Sequence, residues 1–383
     1  MHIAFLTSEY PHDKIKFAAG IGTSIKNLVS ELLKEKIIVS IFVYGQQTDE
    51  IIIENGIKIH LIKSRKYSFF TWFYYRKHIQ NYINKFILDE EINIVEAPDW
   101  TGITAFMTLK APLVIRFHGS DAYFCHLEKR KQKLKNFIFE KLAINNAIAF
   151  IAPTEYAGSV SKYIFRIKNK LIETIHYGLS LTQFENELPL SFEKGMILYI
   201  GTIIRKKGVL ELPSILEKVV LQCPEAHLIL IGNDSFDIQS QSTSTWQLLK
   251  NDLDENLKNN INFIGKVPYK EVQEYIKKAN VCVFPTFAET LGMVTIESMA
   301  MQKPVVNSNI GWSLELIEDQ VSGYLVHPRD HNLFAERIVQ IIKDDNLYEF
   351  IGKNARERVE KQFDIKKIVL QNINFYNKII KQY

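Results

Sequence analysis

The chain has 383 residues, 46% of them hydrophobic and 23% charged, with a formal net charge of +4. That length suits two hydrophobic cores better than one, and the composition excludes a disordered or fibrous class. Its three cysteines, Cys125, Cys223 and Cys282, form no CxxC pair, so no disulfide framework or cysteine zinc site is indicated and a reduced, cytosolic compartment is expected.

The opening MHIAFLTSEYPH is too short and too polar for a signal peptide and reads as a first strand. A helix over 23–36 and the strand IIVSIFVYG follow. The stretch Lys63 to His78, KSRKYSFFTWFYYRKH, mixes bases with aromatics; an aromatic helix face in the core and a surface for a membrane or lipid-linked acceptor both fit it. The aromatic run from Phe69 to Tyr75 is far too short to span a bilayer. NIVEA, PLVIRFHG, AIAFIAPT and LIETIHYG continue the apolar runs of a parallel sheet, and the basic run Lys129 to Lys135 is a second candidate surface. A short polar stretch, Pro189 to Gly195, interrupts the pattern. It restarts with MILYIGT, a helix near 209–223, then HLILIG, INFIG, VCVFP, PVVNS and GYLVH, and closes in a helix over 365–383. Strand and helix alternate throughout, so the fold class expected is α/β, with Rossmann-like halves over 1–187 and 188–364 and a terminal helix over 365–383. Residues 1–186 carry 24 Lys and Arg against 18 Asp and Glu, whereas residues 187–383 carry 23 against 25. A basic first half suits an anionic partner such as a phosphorylated lipid or a membrane, and equally suits a solvated surface with a modest bias.

Four motifs carry chemistry. AAGIGTSIKNL sets Gly20 and Gly22 just before a helix, where glycine allows a phosphate or acceptor close to the backbone. It is not GxGxxG, because Ile25 stands at the last position, and the next strand ends Val43-Tyr44-Gly45 with no acid for an adenosine ribose. A nicotinamide dinucleotide fold is therefore disfavoured. LVIRFHGSDAY ends a strand on His118, with Gly119 and Asp121 after it, at the strand ends that line ligand crevices. In YIGTIIRKKGVLEL, Arg205, Lys206 and Lys207 lie between a strand and a helix, where cations can neutralise a leaving diphosphate; Lys206 reads as surface. Lastly, FPTFAETLGMVTIESMAMQKPVV holds Glu289 in a strand-to-helix loop and Glu297 about two turns into a helix over 291–301. The amides of Leu291, Gly292 and Met293 fall at that helix start, an anion-favouring place, and two carboxylates beside a phosphate cradle suit a nucleotide sugar.

The last motif resembles the Glu-x7-Glu element of retaining glycosyltransferases of family 4, which have the GT-B fold: two Rossmann-like domains with parallel sheets facing across a cleft. The match runs through Glu289, Gly292, Glu297 with Ser298-Met299-Ala300, and Lys303-Pro304-Val305-Val306. By that resemblance Glu289 and His118 face the donor sugar and Glu297 binds the ribose hydroxyls. Lys207 takes the place of the phosphate-binding lysine, with Arg205 standing in for an arginine that is Thr202 here. Gly265, Lys266 and Val267 in INFIGKVP border the nucleotide base, and Gly22 lies in the glycine loop. Asp121 is a candidate acceptor contact. In HYGLSLTQF, Tyr177 and Ser180 replace the family's Asn and Asp, and in IAPTEYAGSV Thr154 reads as a helix cap.

The resemblance implies an acceptor domain, a donor domain and a final helix crossing back to the first. It implies transfer from a nucleoside-diphosphate sugar, with a UDP-sugar as the default, to a glycan or lipid-linked acceptor of bacterial surface polysaccharide or glycolipid. Peripheral contact with the inner membrane face is a further expectation, and nucleic acid is not a partner. Asp252-Leu253-Asp254 reads as surface rather than as a metal site, so no cofactor and no metal are expected. Two alternatives stay open: a nucleotide-sugar epimerase of the same fold, and a non-catalytic nucleotide-sugar binding subunit.

Overall fold

The computed structural model describes residues 1–383 and divides them into two compact units, Met1–Gly178 with Ile365–Tyr383, and Leu179–Asp364. The division falls at Gly178, ahead of the polar stretch near Pro189 at which the sequence pattern breaks. None of the helices is long and apolar enough to cross a membrane.

In the first unit the chain runs β1 (His2–Thr7), α1 (Gly20–Lys34), β2 (Ile38–Gln46), β3 (Glu50–Glu54), β4 (Ile57–Lys63), α2 (Thr71–Asp89) and β5 (Ile94–Pro98). It continues through β6 (Leu113–Arg116), α3 (Asp121–Leu127), α4 (Leu134–Asn146), β7 (Ala149–Ala152), α5 (Glu155–Phe165) and β8 (Leu171–Thr174). The sheet order is β3-β4-β2-β1-β5-β6-β7-β8, parallel except for β3 against β4. That edge hairpin turns at Asn55 and Gly56, both with positive φ, as a two-residue connection requires. β1, β5, β6 and β7 are buried along their length, which is why they read as unbroken apolar runs.

The second unit runs β9 (Met196–Ile200), α6 (Leu212–Val220), β10 (His227–Ile231), α7 (Thr245–Asn251), β11 (Ile261–Gly265), α8 (Tyr269–Lys278) and β12 (Val281–Phe284). After these come α9 (Met293–Ala300), β13 (Val305–Ser308), α10 (Ser313–Leu316), β14 (Tyr324–Val326), α11 (His331–Lys343) and α12 (Asp345–Gln362). All six strands are parallel, in the order β11-β10-β9-β12-β13-β14. This is the doubly wound order of a dinucleotide-type sheet.

The last helix, α13 (Ile365–Gln382), packs on the first unit. Its Ile368, Val369, Phe375 and Ile379 share one core with Ile25, Leu28, Val29 and Leu32 of α1. On α1 those four recur at helical spacing, so one stripe faces the sheet. The opposite face of the sheet is covered by Ile79, Ile83 and Ile87 of α2 with Ala143 and Ile144 of α4. Beneath α13 lies a buried polar knot. Arg116 forks onto Glu96 (Nε to Oε1 2.7 Å, Nη2 to Oε2 3.0 Å) and donates to Asn372 Oδ1 at 2.5 Å, while Tyr376 donates to Glu96 Oε2 at 2.6 Å.

Removing the carboxylate strands a buried guanidinium, so Glu96→Ala is expected to cost about 3–5 kcal/mol, read as a lowered urea midpoint. A loss under about 1 kcal/mol would show that the knot does not hold α13 in place.

Candidate functional site

In the second sheet the strand order reverses between β9 and β12, and the crevice beyond the carboxyl ends at such a reversal is where open α/β sheets take ligands. The loops after these two strands are joined through their backbones. The Lys206 carbonyl accepts the amides of Phe287 (2.8 Å) and Ala288 (3.3 Å). Gly208, at φ +72°, lies so close to Pro285 that an added Cβ would stand 1.7 Å from the proline oxygen. The chain makes a 3-10 turn here, Arg205–Lys207, so that Lys207 is the residue between the two contacts. Lys207 is thereby carried onto Glu289, and the ammonium and carboxylate meet as an ion pair. Burial works against charge on Glu289, but Lys207 and the Thr290 amide at 2.9 Å outweigh it and hold the carboxyl below its usual value.

Gly292 caps α9 at φ +98°, a conformation that suits glycine and turns the chain into the helix. Met293 opens the helix, and Leu291 is buried just before it. Because α9 starts at Met293 rather than near 291, Glu297 stands about one turn into it, not two. Glu297 is buried and accepts the Tyr269 hydroxyl at 2.5 Å. Desolvation pushes its carboxyl up to about 7, against the opposing pull of that hydrogen bond. Lys303, in the motif's tail, is fully buried away from solvent, with Nζ on the Tyr348 hydroxyl (3.0 Å) and the Pro189 carbonyl (3.3 Å). Burial lowers that ammonium to about 8.

Gly265 ends β11, with its carbonyl accepting the Gly232 amide, and Lys266 and Val267 follow toward α8. Arg205, expected at a diphosphate, forks instead onto Asp237, with both bonds at 2.9 Å. That pairing holds the Asp237 carboxyl well below its usual range and leaves Lys207 as the cation of the loop that meets Glu289.

In the first unit His118 follows β6 at the carboxyl edge of the sheet. Its amide donates to Asp99 Oδ1 at 2.9 Å, its ring stacks on Tyr177 at 5.5 Å, and its Nδ1 lies 2.7 Å from the Tyr177 hydroxyl. Desolvation, helped by the nearby Arg116 cation, lowers the imidazole to about 3, so it is neutral at physiological pH. Asp99 is itself pushed up to about 7 by burial, although the His118 amide works in the other direction. Asp121 opens α3, and its carboxylate is held by Arg130 (3.1 Å), Asn136 (3.2 Å) and the Cys125 thiol (3.4 Å). A local structural role therefore accounts for that side chain. Gly20 and Gly22 lie inside the first turn of α1, not before it. The close approach Gly22 permits is to the backbone of Glu9 and Tyr10, and its amide already serves the Glu9 carboxylate at 2.7 Å.

Thr154 caps α5 by accepting the Ala157 amide at 3.1 Å, and Asp254 caps a 3-10 turn through the Asn256 amide. No group of three or more His, Cys, Asp or Glu side chains is arranged to hold a metal ion. Four residues that shape the site escape pattern reading: Asp99, Tyr177, Tyr269 and Asp237. Asp99 carries a local signal, an acid just past a strand end, and Tyr177 shows in sequence only as a departure from the family pattern; Tyr177, Tyr269 and Asp237 meet their partners across 28 to 59 residues of chain.

Residues 18–183 match the model for Glycosyltransferase Family 4, and residues 182–358 match that for Glycosyl transferases group 1. The chain is 28% identical to the capsular polysaccharide biosynthesis glycosyltransferase CapM of Staphylococcus aureus, over 64% of this chain and 66% of that protein. Its fold is similar to sucrose-phosphate synthase from Thermosynechococcus elongatus, with a TM-score of 0.80 and 19% identity over the whole of both chains. It is similar also to Anabaena HepE in complex with UDP-glucose, with a TM-score of 0.70 and 17% identity over the whole of both chains.

Gly208→Ala should disorder the contact that presents Lys207 and lower the stability of the second unit by well over about 1 kcal/mol in calorimetry. Gly45→Ala, with φ +80° and open space around its Cβ, pays for backbone strain alone and is the control. Equal losses in the two variants would rule out the approach to Pro285 as the constraint on the loop.

Proposed function

We propose that this chain, which belongs to the family 4 type of glycosyltransferases and has the GT-B fold, moves a sugar from a UDP-sugar to a glycan or lipid-linked acceptor. The reaction proceeds with retention at the anomeric carbon and without a metal. The observation that carries this reading is the contact of Lys207 with Glu289 at the strand-order reversal of the second sheet, beside the glycine-capped start of α9. The relatives support the choice of substrates: HepE was solved with UDP-glucose, and CapM is named for capsular polysaccharide biosynthesis.

In this reading the diphosphate lies against the amides of Gly292 and Met293, where a helix start favours an anion. Lys207 gives the phosphates a positive neighbour as charge builds on the leaving group. Glu289 accepts hydroxyls of the sugar, and Glu297 accepts those of the ribose. The loop over 265–267 borders the base. In the first unit the neutral ring of His118 offers a nitrogen to a sugar hydroxyl, and the acceptor docks on this unit. The acceptor oxygen bonds to the anomeric carbon on the face from which the diphosphate departs. The carbon–oxygen bond to the phosphate breaks with its electron pair going to the phosphate, and the acceptor proton passes to that departing oxygen. Lys207 and the α9 amides supply the charge stabilisation, so no divalent cation is needed.

Glu297 must be ionised to accept two hydroxyls, and its raised value in the free protein sets the pH window. The protonated carboxyl contributes to stability below the ordinary carboxylate range, and that contribution is lost as pH rises through about 7. UDP-glucose binding should strengthen over the same window, by about tenfold between roughly pH 6 and 8 in titration calorimetry. Glu297→Gln should flatten this profile, and Glu297→Ala should weaken binding at every pH. Unchanged donor affinity in Glu297→Ala would sink the ribose assignment. Turnover should be the same with and without a chelator, and a chelator-sensitive rate, restored by added divalent cation, would overturn the metal-free mechanism.

A further inference from the structure

The first unit carries an apolar and basic patch that its own elements leave open. Phe69 and Phe70, just before α2, are 77% and 65% exposed, and Leu134 and Ile138 on α4 are 72% and 43% exposed. The core face of α2 is a different one, formed by Arg76, Ile79, Ile83 and Ile87. A chain of ring contacts makes the two segments neighbours. Phe70 meets Trp72 at 6.0 Å, Trp72 meets Phe139 of α4 at 5.0 Å, and the Lys135 ammonium lies over both the Trp72 and Phe139 rings at 5.9 and 5.6 Å. Leu134 and Ile138 are four apart on the same helix, so they share a face next to this cluster.

The two segments that carry the patch are themselves basic. The segments 63–78 and 129–135 hold five Lys or Arg each and no Asp or Glu. Arg65 and Arg130 are paired with acids outside these segments, and Arg76 is buried. Lys66, Lys129, Lys131, Lys133 and Lys135 are exposed and in no ion pair. Single exposed apolar residues are ordinary, but a cluster of aromatic and aliphatic side chains on segments that also carry exposed lysines without ion pairs is not. Aromatic rings settle at the headgroup level of a bilayer, and lysine stems lie along apolar surface while their ammonium groups reach lipid phosphates.

We propose that this patch docks the protein onto an anionic bilayer, with Phe69, Phe70, Leu134 and Ile138 entering the interface and the lysines of the 129–135 segment against lipid phosphates. Neither set is sufficient alone, since stable peripheral binding takes an apolar and an electrostatic contribution together. The inference stands on the patch itself and is independent of sugar transfer, so its test needs no donor.

The full chain is sedimented with vesicles of phosphatidylcholine carrying about one-third phosphatidylglycerol, and with phosphatidylcholine alone, at low and physiological salt. Partitioning is expected onto the anionic vesicles, weakened by salt, and weaker by at least about tenfold onto the neutral ones. Replacing Lys131, Lys133 and Lys135 together by Gln should lower it on the order of 100-fold. Phe69→Ser with Phe70→Asn should lower it on the order of tenfold. These side chains are exposed, so both variants should melt as the parent does; Leu134→Ser, on a separate element, gives the same readout should the loop pair unfold. No binding to anionic vesicles at low salt, or equal binding to neutral ones, would overturn the proposal. So would undiminished binding by the apolar variants, together with competition by a short single-stranded RNA, because the patch would then be a polyanion site.

Discussion

The guanidinium of Arg116 is the tie on which the first unit depends. It lies on β6, forks onto Glu96 of the neighbouring β5, and reaches Asn372 on α13, so one side chain binds two strands and the last helix of the chain. Such a buried pair adds little net stability over an apolar replacement; its value is in specifying which partner fits. An apolar face on α13 has many acceptable registers on an apolar sheet, whereas a helix presenting Asn372 and Tyr376 one turn apart satisfies the Arg116–Glu96 pair in one register only. His118 is two residues downstream, and the same cation helps keep its ring neutral. One residue therefore ties the fold and adds to the burial that keeps the ring neutral.

The second unit solves a similar positioning problem with backbone instead of charge. Lys207 and Glu289 lie on different loops 82 residues apart, and each is poorly placed to find the other by side-chain reach alone. The Lys206 carbonyl, bonded to the amides of Phe287 and Ala288, and the contact of Gly208 with Pro285 bring the loops together before the side chains meet. The ion pair is then the outcome of loop geometry. In both units the candidate side chains stand past the carboxyl ends of buried parallel strands, at the strand-order reversal in the second unit and after β6 in the first.

Much of this was legible in the residues. Strands buried on both faces read as continuous apolar runs, so β1, β5, β6, β7 and the second sheet stand out in sequence, and the Glu289–Glu297 spacing marks the loop and helix that hold them. What escapes is of two kinds. The β3–β4 hairpin is an edge, half exposed, and its signal is the Asn55-Gly56 turn rather than an apolar run. Side-chain partners chosen by the fold escape as well: Asp237 takes Arg205, Tyr269 takes Glu297, and Glu9 takes the Gly22 amide. A charged residue in a motif announces that it is available for chemistry, but only the tertiary neighbours decide whether a ligand or another side chain receives it. Tyr177 shows the converse, since a departure from the family pattern supplies the ring that stacks on His118.

The edge strand has a consequence for how copies of the chain behave toward each other. β3 reads Glu-Ile-Ile-Ile-Glu, and on the side away from β4 its backbone has no strand partner, with Ile53 76% exposed. An open edge of this kind is a template for sheet extension. If two copies met edge to edge in antiparallel register, Glu50 of one would face Glu54 of the other at both ends of the contact, where Lys14 already holds Glu50 and the His12 ring lies on Glu54, so the contact would have to find room for these pairs. A strand of only five residues, its isoleucines bracketed by paired carboxylates, thus offers a second copy a short edge on which to extend a sheet.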